Sequence, residues 1–217
     1  MESWRERYLG IEAIPDTLTN AEIEFFFRLN PEGRRLLASR RRQMTRLGLV
    51  LHIGFLRMSG RHLPALERVP SSVLAYAAAE VGVPAPQLAT LRAIYRRRMT
   101  LFKHQRLAES ATGFSTAGEG QLRMLTAFLR RQAETELVRE RLVLVARRWL
   151  YDRSFLIPGD RSLETMAAHA QDHVLGELKA AIEAGVGSGI AAEWVTATVT
   201  DSRRDLTCDD SLSRSST

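Results

Sequence analysis

A chain of 217 residues with 45% apolar content is long enough to bury one sizeable core or two small ones. Its formal charge is +6 with a pI near 10.2, and all of the 31 basic residues are arginine except Lys103 and Lys179. The lone Cys208 excludes an intrachain disulfide framework and a multi-cysteine zinc site and fits a reducing cytosol, and the mixed-charge start from Met1 to Arg7 has no apolar signal core, so secretion is not expected.

Residues 1–18 read as an irregular arm, with Pro15 and Asp16 marking a turn. Thr19-Asn20-Ala21-Glu22 forms a capping box that starts a helix through Phe25, Phe26, Phe27 and Leu29. Asn30 caps again, Pro31 takes the first helical position, and this second helix carries Arg34 and Arg35 toward the stretch Arg40 to Arg57. That stretch joins a dense cationic run to an uncharged run, Leu47 to Leu56. Leu47, Leu49, Leu51, Ile53 and Phe55 alternate as in a strand, while Met44, Leu47, Leu51, Phe55 and Met58 follow helical spacing. With no second strand to pair with, a helix is expected. Gly48 and Gly54 each weaken a helix by about 1 kcal/mol and are useful where another helix approaches closely. The uncharged run spans about 15 Å at 1.5 Å per residue, half a bilayer core, so it is a core helix and not a membrane span.

Pro64 and Pro70 bracket a loop before an alanine-rich helix that starts at Ser71 or Ser72 and ends near Gly82. After Val83-Pro84-Ala85-Pro86 a helix begins about Gln87, with Leu88, Leu91, Ile94 and Tyr95 on one side, and runs into Arg96-Arg97-Arg98. Another helix covers roughly Thr100 to Thr112 and stops at Gly113. Helical spacing then links Leu122, Leu125 and Leu129, and later Leu137, Leu144, Ala146, Trp149 and Leu150. Leu156 to Asp160 is a stop. Ser162 caps a further helix through Leu163, Met166, Ala170, Val174, Leu178 and Ile182 to Gly185. Ala191 to Val199 reads as a short helix, and Asp201 to Thr217 as a polar tail. Eight or nine helices with short loops predict an all-α protein of two packed helical subdomains. The expected division is an arm at 1–18, a first subdomain at 19–114, a second at 115–185, and the start of a next segment with a polar tail at 186–217.

Arg34, Arg35, Arg40, Arg41, Arg42 and Arg46 occur with no acid between the first and the last. If they are largely helical, Arg34 and Arg41 share one face and Arg35, Arg42 and Arg46 another, a stripe able to follow phosphates. Charge alone leaves this reading and a solvated basic face level, and Arg96, Arg97 and Arg98 alone read as surface. His169 and His173 lie one helical turn apart, a zinc-compatible spacing with no evident third ligand, so a metal is not expected. His52 reads as a core or groove residue. No phosphate-binding glycine loop or serine elbow is present, so neither catalytic residues nor a cofactor or small-molecule substrate are expected.

Several blocks resemble one known family. Arg40-Arg41, Arg46 to Leu49, Leu51 to Arg57 and Gly60-Arg61 resemble the N-terminal region of replicative transposases of the Tn-three type. The likeness continues through Val69-Pro70, Tyr95-Arg96, Thr100-Leu101, His104-Gln105, Gly113-Phe114, Ala146, Trp149-Leu150 and Ile157-Pro158, covering roughly residues 5 to 200. The resemblance implies a helical region, with helix-turn-helix-like elements, that binds double-stranded DNA at terminal inverted repeats during transposition, in the bacterial cytoplasm at the nucleoid. The family's catalytic Asp-Asp-Glu carboxylates lie far downstream and have no counterpart here. The chain is then expected to be a natural truncation, a frameshifted remnant or an excised front of a transposase. Under that reading Arg34, Arg35, Arg40, Arg41, Arg42, Arg46 and Arg96 to Arg98 contact phosphate, while Gln43, Thr45 and His52 are candidates for polar contacts in a groove. The other reading is a truncated regulator or protein-interaction module that binds transposase subunits. One departure falls inside the basic run: Arg42 stands where the family often has glycine, removing an easy left-handed turn.

Overall fold

The computed structural model describes residues 6–64, 66 and 68–186, and among these the regular structure is all-α, as expected. After a short 3-10 turn at Glu6–Tyr8 come α1 (Asn20–Phe27), α2 (Pro31–Ala38), α3 (Gln43–Ser59), α4 (Ser71–Val81), α5 (Leu88–Ala93) and α6 (Arg98–Thr112). A second 3-10 turn, Ile94–Arg96, joins α5 to α6, and α7 (Glu119–Ala133), α8 (Arg139–Asp152) and α9 (Asp160–Val186) complete the set. The short helix expected at Ala191 to Val199 and the tail after it lie outside the described residues. No described helix is long and apolar enough to cross a membrane.

The helix starts follow from local chemistry. The Thr19 hydroxyl accepts from the Glu22 N–H, and the Glu22 carboxylate accepts from the Thr19 N–H at 2.8 Å, completing the capping box. The same carboxylate accepts from the Tyr8 hydroxyl at 2.7 Å, tying the arm to α1. The Thr19 backbone bond outweighs burial and holds the Glu22 carboxyl below its usual range. Asn30 Oδ1 accepts from the Gly33 N–H at 2.7 Å with Pro31 in the first turn, as its sequence implies.

Helix α3 is the axis of the first six helices, and α1, α2, α4 and α6 all pack on it. Every residue from Leu47 to Leu56 is buried, a pattern that the alternating strand alternative cannot produce, since a half-buried strand exposes every second side chain. The two glycines set the distance of approach. A Cβ on Gly54 would stand 2.1 Å from Phe27 Cδ1 of α1, and one on Gly48 would stand 2.2 Å from the Tyr95 hydroxyl oxygen. Gly60 ends α3 at φ +71°, a left-handed position that suits glycine.

A second cluster gathers Leu125, Leu129, Leu142, Leu150, Leu163 and Ala170 from α7, α8 and α9, with Leu9 of the arm. A few polar links join it to the first. Arg61, 8% exposed, donates to Asp160 Oδ1 at 2.6 Å and to the Pro158 carbonyl, while Arg147 donates to the same Asp160 oxygen at 2.7 Å. Burial pushes the Asp160 carboxyl up, but the two guanidinium groups outweigh it and hold the carboxyl below its ordinary range.

Three expectations are corrected. Helix α2 stops at Ala38 and α3 starts at Gln43, so Arg40 to Arg42 form a linker and the six arginines are not one helical stripe. Leu137 and Leu144 do not share the buried face of Ala146 and Leu150: Leu137 lies before α8, and both leucines are exposed. Helix α9 begins at Asp160, two residues before Ser162, so Ser162 lies inside its first turn.

Candidate nucleic-acid interface

The α2–α3 linker is ordered by its own backbone. The Arg40 N–H donates to the Leu37 carbonyl at 2.9 Å, and Arg46 Nε reaches back to the Arg40 carbonyl at 2.6 Å. Arg42 is the residue before α3, extended at φ −90° and ψ 123°, so no left-handed residue is needed where the family's glycine often stands. The first turn of α3 has no side-chain cap and no acid, and arginines surround it. Arg34 and Arg35 project from α2, and Arg41, Arg42 and Gln43 are exposed, while Arg40, Thr45 and Arg46 are half-buried. Arg35 is drawn to Glu32 at 3.6 Å across an exposed pair. Arg34, Arg41 and Arg42 have no carboxylate partner among the described residues.

The second basic run reaches the same end of α3. Tyr95 lies against Gly48, within one helical turn of Thr45 and Arg46, and Arg96, Arg97 and Arg98 follow it directly, all exposed. Helix α6 then lies along α3 and α2, with Asn30 Nδ2 donating to the Ala111 carbonyl. Two stretches about fifty residues apart in sequence therefore form one basic end, a juxtaposition that spacing alone cannot reveal.

Behind this surface is a buried polar group that sequence reasoning missed. The Tyr95 hydroxyl and His104 Nδ1 are 2.6 Å apart, and the His52 ring packs on both, with centroids at 5.4 and 5.7 Å. Burial pushes His52 down to about 3; burial, and then the Arg40 charge, push His104 down to about 4; burial raises Tyr95. Both histidines are neutral at pH 7, so the bond between the Tyr95 hydroxyl and His104 Nδ1 joins two uncharged groups. His52 is 1% exposed, with neither ring nitrogen bonded to a protein group. It is therefore set apart from the other candidates by its burial in the core. The sequence signals for the group were the core or groove reading of His52 and the presence of His52, Tyr95 and His104 in the family-like blocks. His173, one of the zinc-spaced pair, lies 3.4 Å from Glu177.

Residues 2–170 match a protein family described as a domain of unknown function (DUF4158). The chain belongs to that family. Over 205 residues this DUF4158 chain is also 36% identical to a curated protein of Comamonas testosteroni, the transposase for insertion sequence element IS1071 in transposon Tn5271. The alignment covers 94% of the chain and 21% of that transposase, so the chain spans about a fifth of its relative's length. The DUF4158 chain is thus transposase-related, and its basic end is formed by residues within the shared region.

Proposed function

We propose that the chain is a double-stranded DNA-binding module for the terminal inverted repeats of a mobile element, the N-terminal part of a transposase that leaves strand transfer to carboxylates outside this chain. The observation that carries the reading is that Arg40 to Arg42 and Arg96 to Arg98 lie toward the same end of α3, with no carboxylate partner among the described residues. Phosphates are held by Arg34, Arg35, Arg40, Arg41, Arg42, Arg46 and Arg96 to Arg98, and Gln43 and Thr45 at the start of α3 supply polar contacts to base edges. Helices α2 and α3 act as the helix-turn-helix-like pair, within a first subdomain at 19–114 and beside a second at 115–185. On this reading the protein works at the bacterial nucleoid and meets other transposase subunits there.

Fluorescence anisotropy tests it with two labelled duplexes, one carrying the sequence that the chain enriches from a randomised pool and one a shuffled control. Tighter binding to the enriched duplex, weakening steeply with salt, is expected. Negligible binding to both duplexes at low salt rejects the reading. A protein-interaction role is favoured by Leu175 and Leu178, which are about half exposed on the distal part of α9. Substituting them with serine then lowers self-association and leaves DNA affinity unchanged.

A further inference from the structure

From Val81 to Ala108 the chain has no aspartate or glutamate and carries six cations: Arg92, Arg96, Arg97, Arg98, Lys103 and Arg106. Helix α6 divides its residues sharply. His104, Ala108 and Ala111 are buried toward α2 and α3, while Met99, Phe102, Lys103 and Arg106 are exposed and recur at the three-, four- and seven-residue spacing of one face. Met99 and Phe102 are the most exposed large apolar side chains of the described residues, at 62% and 56%. A single exposed apolar residue is ordinary, but two on one turn, ringed by cations and beside the basic end, form a defined surface.

An apolar pair in this setting does not suit an ordinary protein partner, because the surrounding charges have one sign and call for a polyanion. Of the groups a duplex offers, the backbone matches the cations, and the exposed face of an unstacked base pair matches the apolar pair. We propose that the outward face of α6 is a wedge, in which Met99 and Phe102 press into a base step from the minor groove and bend the duplex. Arg96 to Arg98, Lys103 and Arg106 hold the phosphates on either side. This inference rests on the DNA-binding reading and adds a deformation to it. Burial of His104 and Ala108 on the opposite side of α6 anchors the wedge, so insertion acts on the DNA rather than displacing the helix.

The test uses the full chain and a duplex of about thirty base pairs, labelled at both ends for energy transfer and carrying the pool-enriched sequence. Saturating protein should raise the transfer, reporting a bend within the ~20–90° range of side-chain wedges. Met99→Ala with Phe102→Ala should still bind and return the transfer most of the way to that of free DNA, while Phe102→Leu should retain the bend. Both positions are exposed, so the variants keep the fold, which circular dichroism checks. A bound duplex that stays straight with the unsubstituted protein, or a double variant that bends it as fully, overturns the wedge while leaving DNA binding intact. An unchanged bend with altered sedimentation of the DNA-free double variant assigns the face to protein contact and also overturns it. If the unsubstituted chain binds no duplex, the wedge and the underlying reading fall together.

Discussion

Six arginines of the basic end and four of the α7–α9 bundle are in opposite situations. At the basic end Arg34, Arg41, Arg42 and Arg96 to Arg98 have no carboxylate partner among the described residues. In the bundle Arg123 lies 4.0 Å from Glu119, Arg141 3.1 Å from Glu136, Arg147 2.7 Å from Asp160 and Arg148 2.6 Å from Glu6. Residue type is the same and electrostatic outcome is not. A paired cation contributes little field beyond its partner, whereas clustered unpaired ones sum to a potential that attracts polyanions. The net charge of the chain thus does not distinguish paired arginines from unpaired ones, and the structure does.

The largest expected effect breaks this contrast directly. Glutamine at Arg40, Arg41, Arg42 and Arg46 together should lower the salt slope of duplex binding by about 3 to 4, at about 0.9 per phosphate, and weaken affinity by on the order of a thousandfold near 0.1 M salt. Glutamine at Arg123 and Arg141 should change affinity by less than about twofold. Equal losses from the two sets, in anisotropy titrations, would erase the distinction between the regions.

A second difference concerns stability. The first core relies on close approach at α3, so Gly54→Val should cost about 3 kcal/mol by forcing apart α3 and Phe27. Urea denaturation measures the loss, and hydrogen exchange should place it in α1, α3 and α4 rather than α7–α9.

The buried histidines also belong to the first region. Unfolded histidine gains its proton as pH falls through about 6.5, while folded His52 stays neutral down to about 3. Its contribution is therefore complete above pH 6.5 and is lost progressively below it, by on the order of 2 kcal/mol at pH 5, with His104 acting in the same direction. The urea midpoint should fall over that range, and His52→Leu should flatten the slope. The smallest effect sharpens the contrast from the other side. Arg141 is mostly exposed, so Arg141→Gln should cost only about 0.5 kcal/mol in the same assay despite its ion pair with Glu136.

Much of this architecture was legible in residue order. Thr19 and Asn30 start helices because a cap is a local device, and Leu47 to Leu56 reads as a core helix once no partner strand is found. The break at Arg40 to Arg42 was not legible, since arginine is a good helix former and nothing in the run forbids another turn. Helix α2 packs against α6 and α3, and α3 against α1, α4 and α6, so the break accompanies tertiary packing that residue order does not display. Leu137 failed for the related reason that helical spacing does not state where a helix begins, and Leu144, two residues before Ala146, lies on the opposite side of α8 from it. Within the candidate interface, the residue types were readable and their meeting was not. Tyr95, His104 and His52 come together only because α6 lies along α3.

The bond from Arg46 Nε to the Arg40 carbonyl bears on kinetics. It closes the linker into a small ring whose backbone is already fixed before any ligand arrives. A chain segment prepared in this way has little freedom left to surrender on contact, so capture of a polyanion is set by encounter rather than by a later folding step. Its on-rate should then follow ionic strength and viscosity, and mixing experiments should record a single phase with no slower rearrangement of the protein behind it.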